Sequence, residues 1–244
     1  MFIVFIAVCL PCTTTAESQT SKNIKSIRLI TDPWPPFYGP TLPKNGFFCE
    51  IVRQAFREVG YQLEVKFTDW KTAKTLSKKG EYDGLLGAYY NKKRAQKYTY
   101  SLPVISVKTI FIAQKSVNAK YNGDLNNLKN LRIGVSRGYI YTSEFDTATY
   151  LNKIEASGPK ELINFLFLKK TDVILISEQV ARYLLLQQTR TIRQTLTTLS
   201  PSLTQNKLFV LITQKNPDHH KIVSDFNQGL KKLVFSGKMA SLLP

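Results

Sequence analysis

Short apolar runs alternate with amphipathic segments along the chain from residue 24 onward. A short apolar run bounded by turn residues is typical of a buried strand, and apolar positions three and four apart are typical of a helix. Asp69 and Gly80 are expected to cap the two ends of one such helix. In the first half of the chain, the pattern predicts strands at 24–31, 62–68 and 82–90 and helices at 48–60 and 69–80.

The same alternation restarts after a polar stretch at residues 116–130. A strand at 109–115 precedes this stretch, and an apolar run at 207–215 leads into a closing helix at 218–237. Alternating strands and helices of this kind predict the α/β fold class. Between the polar stretch and the final run, the pattern predicts strands at 131–138, 154–157 and 171–177 and helices at 141–151, 158–170 and 178–188.

Two α/β sets joined near residues 112 and 210 predict two lobes that are connected by two crossing strands. Lobe 1 is expected to comprise residues 24–111 together with 212–244, and lobe 2 to comprise residues 112–211. The chain has 244 residues, of which 43% are hydrophobic, so it can bury a substantial core in both lobes.

Residues 1–16 carry no charge, and an apolar run there leads into a small-residue segment that ends at Ala16. This segment resembles a secretory signal peptide that lacks the positive n-region, so we expect it to be removed from a periplasmic protein. Cys9 and Cys12 raise a lipoprotein as an alternative, but neither follows the small residue that a lipidation site requires. Cys49 is then the one remaining cysteine, which excludes an intramolecular disulfide and fits a bacterial periplasm.

The chain is strongly basic, with 34 Lys and Arg against 17 Asp and Glu and a formal net charge of +17. Such a charge invites a nucleic-acid interpretation. The basic residues are, however, dispersed as pairs such as Lys78-Lys79 and Lys231-Lys232 instead of forming a dense tract. We therefore expect no nucleic-acid partner and a solvated basic surface that favours anionic headgroups or acidic solutes.

Residues 31–39 read TDPWPPFYG and concentrate three aromatic rings among three prolines. Proline fixes its own backbone angle and bars the segment from a helix or a central strand. One interpretation is a rigid loop whose rings cover the core. The other is a stiff aromatic wall at the mouth of a ligand pocket, where rigidity lowers the entropy lost on binding. Both interpretations stay open at this point.

The chain resembles the bacterial extracellular solute-binding proteins of family 3, the polar amino-acid-binding receptors of ABC transporters. The resemblance is carried by the aromatic-Pro-Pro-Phe order after the first strand, by KKGEYDGLLGA at 78–88, and by YYNKKRAQKYTYSLPV at 89–104. It covers residues 26–240. The resemblance implies a two-lobed periplasmic-binding-protein fold of type II, in which two hinge strands join the lobes and a small ligand is clamped between them.

The resemblance also implies which residues bind the ligand. Arg94 corresponds to the arginine that binds the ligand carboxylate, a role that suits the planar fork of guanidinium donors. Trp34 corresponds to the ring that stacks on the ligand, and Asp32 is expected either to take a positive group in the same cleft or to cap the loop. In lobe 2, the free N–H groups of a strand-to-helix turn are expected to hold the carboxylate from the other side. The remaining ligand contacts are expected from Gly87, Ala88 and Tyr89 in lobe 1 and from Gly138, Tyr139 and Ile140 in lobe 2.

One position departs from the family pattern. Family members that bind α-amino acids carry an Asp for the ligand ammonium five residues beyond the leading Asp of the strand, which is Asp172 here. The corresponding position is Ser177, and Glu178 follows it. A hydroxyl cannot neutralise a buried ammonium. Three alternatives remain: Glu178 reaches in, Asp32 substitutes, or the ligand has no α-ammonium.

We therefore expect a monomeric binding protein, with no cofactor and no metal, that passes a small carboxylate-bearing solute to an ABC permease. His219 and His220 are expected at the surface and not in a metal site. An alternative is a dehydratase-like periplasmic enzyme on the same scaffold, with Glu178 or Asp32 as general acid. A third is a sensory receptor that works without a transporter.

Overall fold

The computed structural model describes residues 25–243, so the predicted signal peptide at residues 1–16 lies outside the described residues. The strands are β1 Lys25–Thr31, β2 Tyr61–Phe67, β3 Gly84–Tyr89, β4 Tyr98–Tyr100, β5 Ile105–Gln114, β6 Arg132–Ser136, β7 Asn152–Ala156, β8 Val173–Ser177, β9 Leu196–Thr198 and β10 Thr204–Thr213. The α-helices are α1 Phe47–Arg57, α2 Trp70–Lys79, α3 Lys92–Ala95, α4 Ser143–Thr147, α5 Pro159–Phe167, α6 Glu178–Leu186, α7 Arg190–Gln194, α8 His219–Phe235 and α9 Lys238–Leu242. None of these helices combines the length and apolarity that a membrane crossing demands.

The predicted helix caps are present at α2. The Asp69 side chain accepts a hydrogen bond from the main-chain N–H of Thr72 at 2.9 Å, and Gly80 ends the helix in the left-handed conformation. The end predicted for the first helix differs, because α1 ends at Arg57 and Gly60 follows in a turn with φ of +82°.

The helix predicted at residues 141–151 is reduced to the five residues of α4. The Asp146 carboxylate accepts the main-chain N–H of Tyr141 at 3.1 Å. Lys153 Nζ donates to the main-chain oxygens of Phe145 and Asp146. Lys153 therefore satisfies main-chain oxygens in the last turn of this short helix.

Lobe 1 is built on the strand order β2-β1-β3-β10. Strands β1, β2 and β3 are parallel, and the second half of β10 runs antiparallel to β3. Helices α1 and α8 pack together against this sheet, and the rings of Phe56 and Phe226 meet at 4.8 Å in the fully buried core. Burial by helices explains why these strands read as short apolar runs in the sequence.

Lobe 2 repeats the arrangement on the strand order β5-β8-β6-β7. Strands β6, β7 and β8 are parallel, and β5 runs antiparallel to β8. The rings of Phe111, Tyr121 and Phe145 fill one side of its core.

Strands β5 and β10 cross between the lobes as an antiparallel pair, with Ile105 opposite Leu208 and Thr109 opposite Thr204. Beyond this pairing, β10 continues alongside β3 and β5 continues alongside β8. Each strand therefore begins in one lobe and ends in the other, which is the predicted two-hinge-strand architecture. The lobe boundaries at residues 111/112 and 211/212 stay a prediction.

Candidate functional site

The Pro-rich aromatic segment divides its rings between the core and the space between the lobes. Phe37 and Tyr38 are buried, and Tyr38 packs against Phe48 with ring centroids 5.7 Å apart. Trp34 is half-buried and stacks on Phe37 at 4.2 Å. A main-chain bond of 2.8 Å from Trp34 N to Tyr38 O holds the segment in a tight turn. The segment thus places two rings in the core, as the first interpretation expects, and leaves the Trp34 ring partly exposed between the lobes.

Tyr38 also fixes the end of β3. Its hydroxyl donates to the main-chain oxygen of Gly87 at 3.2 Å. Gly87 has φ of +78°, and a Cβ atom at this position would lie 2.6 Å from the Tyr38 ring, so only glycine fits. This close approach places Ala88 and Tyr89 beside the aromatic segment, and the Tyr89 ring meets Trp34 edge-on at 5.9 Å.

A cavity of about 40 Å³, the cleft cavity, lies where the two lobes meet. Trp34 and Tyr89 line it from lobe 1, Thr109 lines it from the hinge strand β5, and Tyr139 and Ser177 line it from lobe 2. Typical ligand sites measure roughly 300–1,000 Å³. A ligand of amino-acid size therefore enters only when the lobes separate.

The lobe 2 wall of the cleft cavity is a turn that follows β6. Gly138 adopts φ of +73°, and the main-chain N–H of Tyr139 donates to Ser136 O at 3.2 Å. The Tyr141 hydroxyl accepts the Ser136 main-chain N–H at 2.9 Å. Helix α4 begins only at Ser143, and the main-chain N–H groups of Ser136, Tyr139 and Tyr141 are already bonded within lobe 2. The free N–H groups expected at this turn are therefore not found at these three residues.

Ser177 ends β8, pairs with Thr109 of the hinge strand, and lines the cleft cavity. Its hydroxyl donates to Gln179 Oε1 at 3.4 Å. Asp172, just before the other end of β8, accepts two bonds from the Arg132 guanidinium at 3.0 and 2.7 Å. The Asp172 carboxylate is therefore paired with Arg132 within lobe 2.

Arg94 lies beside the cleft cavity without lining it. Its main-chain N–H donates to the Asn91 side chain, which caps α3, at 3.0 Å. Its Nη1 atom donates to the main-chain oxygen of Tyr89 at 2.9 Å, and its guanidinium carbon lies 5.4 Å from the Trp70 ring centroid. No carboxylate pairs with Arg94 in the part of the chain that the structure describes.

Asp32 follows β1 and is partly buried at the base of the aromatic segment. Burial raises the pKa of its carboxyl group; Asp69 adds to this effect and Lys74 opposes it. Burial, and after it the Asp32 charge, raises the pKa of Tyr38, and the same two causes raise the pKa of Tyr139 to about 12. Because Tyr139 belongs to lobe 2, Asp32 lies close to the interface between the lobes.

Glu178 lies on a different cavity. It is exposed at the start of α6 and, with Arg182, lines a groove of about 640 Å³ whose opposite wall includes Phe47 and Met239 of lobe 1. We call this the α6 groove. Ser177 is the last residue of β8 and Glu178 is the first residue of α6, so the chain changes from strand to helix between them and their side chains line different cavities.

The predicted site residues therefore fall into three groups according to where the structure places them. It brings Trp34, Tyr89, Tyr139, Ile140 and Ser177 together around the cleft cavity. It places Asp32, Gly87, Ala88, Arg94 and Gly138 next to these residues in sequence or by direct contact, and it places Glu178 on the α6 groove.

Sequence reasoning did not select four further polar or aromatic residues at this site, namely Thr109, Ser136 and Tyr141 on the cavity wall and Trp70 under Arg94. Thr109 had a usable signal, since it is a polar residue in an apolar strand. Ser136 and Tyr141 flank the predicted turn at residues 138–140, so they were also within reach of the sequence pattern. Trp70 meets Arg94 through tertiary packing, which a linear pattern does not report.

Residues 25–243 contain no group of three or more His, Cys, Asp or Glu side chains arranged to hold a metal ion. The His219 ring bonds Thr99 Oγ1 at 2.7 Å. Cys49 is buried, and burial raises the pKa of its thiol to about 11, so the thiol stays protonated and unreactive.

Comparison with known proteins gives one family and many similar folds. The family model described as bacterial extracellular solute-binding proteins, family 3, matches residues 27–243. A search of curated proteins returned no match.

Three solved structures similar to this chain are a sensor domain and two amino-acid-binding proteins. A histidine kinase sensor domain similar to periplasmic binding proteins is 18% identical with a TM-score of 0.71, covering 89% of this chain and 93% of that one. The arginine-bound ABC transporter protein AbpA from Streptococcus pneumoniae is 18% identical with a TM-score of 0.68, covering 90% and 92%. An ancestral amino-acid-binding protein, a precursor of cyclohexadienyl dehydratase, is 19% identical with a TM-score of 0.67, covering 89% and 92%. These likenesses establish the periplasmic-binding-protein fold.

Proposed function

The chain belongs to the bacterial extracellular solute-binding proteins of family 3, and from that premise we propose that it clamps a small carboxylate-bearing solute between its two lobes. The solute is then delivered to an ABC-type permease or sensed. The protein works as a monomer in the periplasm, needs no cofactor, and binds no nucleic acid.

The observation that carries the proposal is that residues of both lobes line the cleft cavity. Trp34 and Tyr89 of lobe 1 face Tyr139 and Ser177 of lobe 2 at the point where the hinge strands cross. A solute that touches both walls stabilises the closed arrangement of the lobes, because it binds that arrangement better than the open one.

Arg94 is the proposed carboxylate-binding residue. Its Nη1 bond to Tyr89 O holds the guanidinium next to the cavity wall and leaves its other donors free for a ligand. Stacking on Trp70 fixes the plane of the group, so little side-chain entropy is lost when a carboxylate binds. A planar fork of donors matches the two oxygens of a carboxylate.

The other walls of the proposed site follow from the same geometry. Trp34 offers its ring face to the ligand, and its indole N–H is buried without a hydrogen-bond partner among the described residues. Gly87, Ala88, Gly138 and Ile140 are the proposed main-chain contacts from the two lobes, and Asp32 is the proposed partner of a positive group at the far end of the ligand.

A thermal-shift screen of amino acids, opines, dicarboxylates and polyamines tests the proposal, since a ligand that prefers the folded state raises the melting temperature. We expect carboxylates to raise it and polyamines, which lack a carboxylate, to leave it unchanged. A screen in which only polyamines stabilise the protein would overturn the proposal.

The Arg94→Ala variant is expected to lose roughly 2–5 kcal/mol of affinity for the solute found in that screen, because the ligand carboxylate then has no partner. Isothermal titration calorimetry measures the loss, and circular dichroism checks that the fold is intact. Arg94→Lys should retain part of the affinity, since it keeps the charge but not the fork. Lys92→Ala, an exposed neighbour on α3, is the matched control and should bind normally. An unchanged dissociation constant in Arg94→Ala would remove Arg94 from the site.

A second candidate function is catalysis on the same scaffold. The observation that favours it is the raised pKa of the partly buried Asp32 carboxyl group, which can hold a proton for general-acid chemistry. Turnover of prephenate or arogenate that disappears in Asp32→Asn, but persists in Glu178→Gln on the α6 groove, would support an enzyme. Solute binding without turnover supports a binding protein.

A receptor that works without a transporter is distinguished by the absence of neighbouring permease and ATPase genes.

A further inference from the structure

The lining of the cleft cavity carries no charge among the described residues. Its polar groups are hydroxyls, and burial raises the pKa values of Tyr139 and Tyr141 to about 12, so both stay neutral near pH 7. The buried Trp34 indole N–H, which has no hydrogen-bond partner in the described part of the chain, is a neutral donor. The cavity is therefore suited to hydroxyl, carbonyl or apolar groups.

Acidic side chains close in sequence to the cavity wall are engaged elsewhere. Asp172 forms the ion pair with Arg132 inside lobe 2. The Asp146 carboxylate accepts the main-chain N–H of Tyr141. Glu178 is exposed on the α6 groove. None of these three carboxylates is placed to neutralise a positive group inside the cavity.

Asp32 and Asp69 are two further carboxylates near the site, on the lobe 1 side. The Asp69 side chain caps α2 by accepting the main-chain N–H of Thr72, and Asp32 lies outside the cavity lining. It can meet a positive charge at the far end of a ligand. It does not belong to the wall formed by Ser177 and Thr109, where the cavity offers hydroxyl groups alone. Burying an ammonium against that wall without a counter-charge would cost several kcal/mol.

Arg94 determines which part of the ligand enters the cavity. Its Nη1 atom lies 2.9 Å from Tyr89 O, and Tyr89 is part of the cavity wall. In the proposed function the ligand carboxylate binds Arg94, and the carbon atom next to that carboxylate then lies toward the cavity. In an α-amino acid this carbon carries the ammonium group.

We propose that the protein selects carboxylates whose carbon next to the carboxylate carries no ammonium group, and that Ser177 is a residue that determines this preference. The inference rests on the proposed function, in which Arg94 holds the carboxylate. It concerns the atoms between Trp34 and Ser177 and leaves the far end of the ligand, beside Asp32, free to be apolar or cationic.

Calorimetry on the purified protein with matched pairs tests the proposal. The pairs are L-phenylalanine with 3-phenylpropanoate, L-leucine with 4-methylpentanoate, and L-arginine with 5-guanidinopentanoate. In each pair that binds, we expect the member without the α-ammonium to bind at least tenfold more tightly. Equal or tighter binding of the α-amino acid would overturn the inference and leave the proposed function standing. If no carboxylate binds in these pairs or in the wider screen, the proposed function fails and this inference fails with it.

Two substitutions at Ser177 make the test independent of ligand shape. Ser177→Asp adds a carboxylate to the wall and should shift the ratio of affinities within a pair toward the α-amino acid by at least tenfold. Ser177→Asn, similar in size but neutral, should leave the ratio unchanged.

Asp32→Asn should also leave the ratio for the apolar pairs unchanged. A selective loss of binding of the α-amino acids in this variant would identify Asp32 as the ammonium site and overturn the inference. If Ser177→Asp fails to fold, the wild-type ratios decide the question.

Discussion

Single residues at this site are fixed by close packing as much as by polar chemistry. Gly87 is required because the Tyr38 ring occupies the space that any side chain would need, and φ at Gly87 is positive. Tyr38 in turn satisfies its hydroxyl on Gly87 O, so a buried polar group is paired at no cost to packing. Trp34, on the same segment, is left free to face the other lobe.

The raised pKa of Asp32 leads to a prediction at the residue scale, because a pKa that differs between the folded and unfolded states makes stability depend on pH. Its folded-state pKa lies above the unfolded value of 3.8, so the folded state binds the proton more strongly than the unfolded state. The wild type therefore loses stability as pH rises from the unfolded pKa through the folded pKa. Asp32→Asn should melt at a higher temperature than the wild type at about pH 7.

The pH dependence supplies the control for Asp32→Asn. Below the unfolded pKa, the Asp32 carboxyl group is protonated in both the folded and the unfolded state of the wild type. The gain in melting temperature of Asp32→Asn should therefore shrink toward zero at such pH values. A gain of equal size at all pH values would show that the substitution acts through packing and that the Asp32 charge is not strained by burial.

At the scale of elements, β8 is held at both ends by contacts with its neighbours. Near its start, Asp172 accepts bonds from the main-chain N–H and the guanidinium of Arg132 at the start of β6. At its end, Ser177 pairs with Thr109 of β5. Fixing the register of β8 in this way brings Ser177 to the cleft cavity together with Leu175 and Ile176.

Asp172→Asn tests the ion pair between β8 and β6. The Arg132 guanidinium lowers the pKa of Asp172, so the pair stabilises the fold above the unfolded pKa of 3.8 and the stabilisation is lost as pH falls through the folded pKa. Because the Arg132 side chain is 43% exposed, we expect a loss of only about 1 kcal/mol in the free energy of unfolding near neutral pH.

Denaturant unfolding measures this loss, and an exposed pair in the same lobe provides the matched control. Arg137 and Glu155 are 71% and 59% exposed, so Glu155→Gln should change stability by less than Asp172→Asn. Equal effects of the two substitutions would show that the Asp172 pair has no special role in holding β8.

At the scale of the whole molecule, β5 and β10 couple binding to movement. They are the strands that pass between the lobes, and the cleft cavity lies against them through Thr109. Apolar side chains of both lobes also form one continuous cluster that includes Leu29 of β1 and Ile176 of β8. Closure therefore rearranges a packed interface next to the hinge, a motion that a ligand bound to both walls can stabilise.

Trp34 reports on this closure, because it is one of only two tryptophans in the chain and it lies on the cavity wall. We expect a bound solute to change the tryptophan fluorescence of the wild type and of Trp70→Phe. The change should disappear in Trp34→Phe. Trp34→Ala should also weaken binding, by less than Arg94→Ala, since it removes stacking and not a charge pair. A fluorescence change that persists in Trp34→Phe and is lost in Trp70→Phe would move the contact wall to Trp70.

The sequence alone determined the α/β class, the two-lobed division, eight of the ten described strands and the family, because these follow from local periodicity and from short motifs. The three-residue strands β4 and β9 were too short to give such a pattern. Trp34 and Arg94, which the sequence proposed for one site, both contact Tyr89. Periodicity reports which face of an element is buried and not what that face meets.

Only the tertiary structure decided which side chains share the cleft cavity. Ser177 and Glu178 are neighbours in sequence and equal candidates on that basis, but the start of α6 directs them to two different cavities. Thr109, Ser136 and Tyr141 enter the site because strand register and one turn bring them there. The uncharged lining of the cavity is a property of that assembly, since it depends on which acidic groups are already paired elsewhere in the fold.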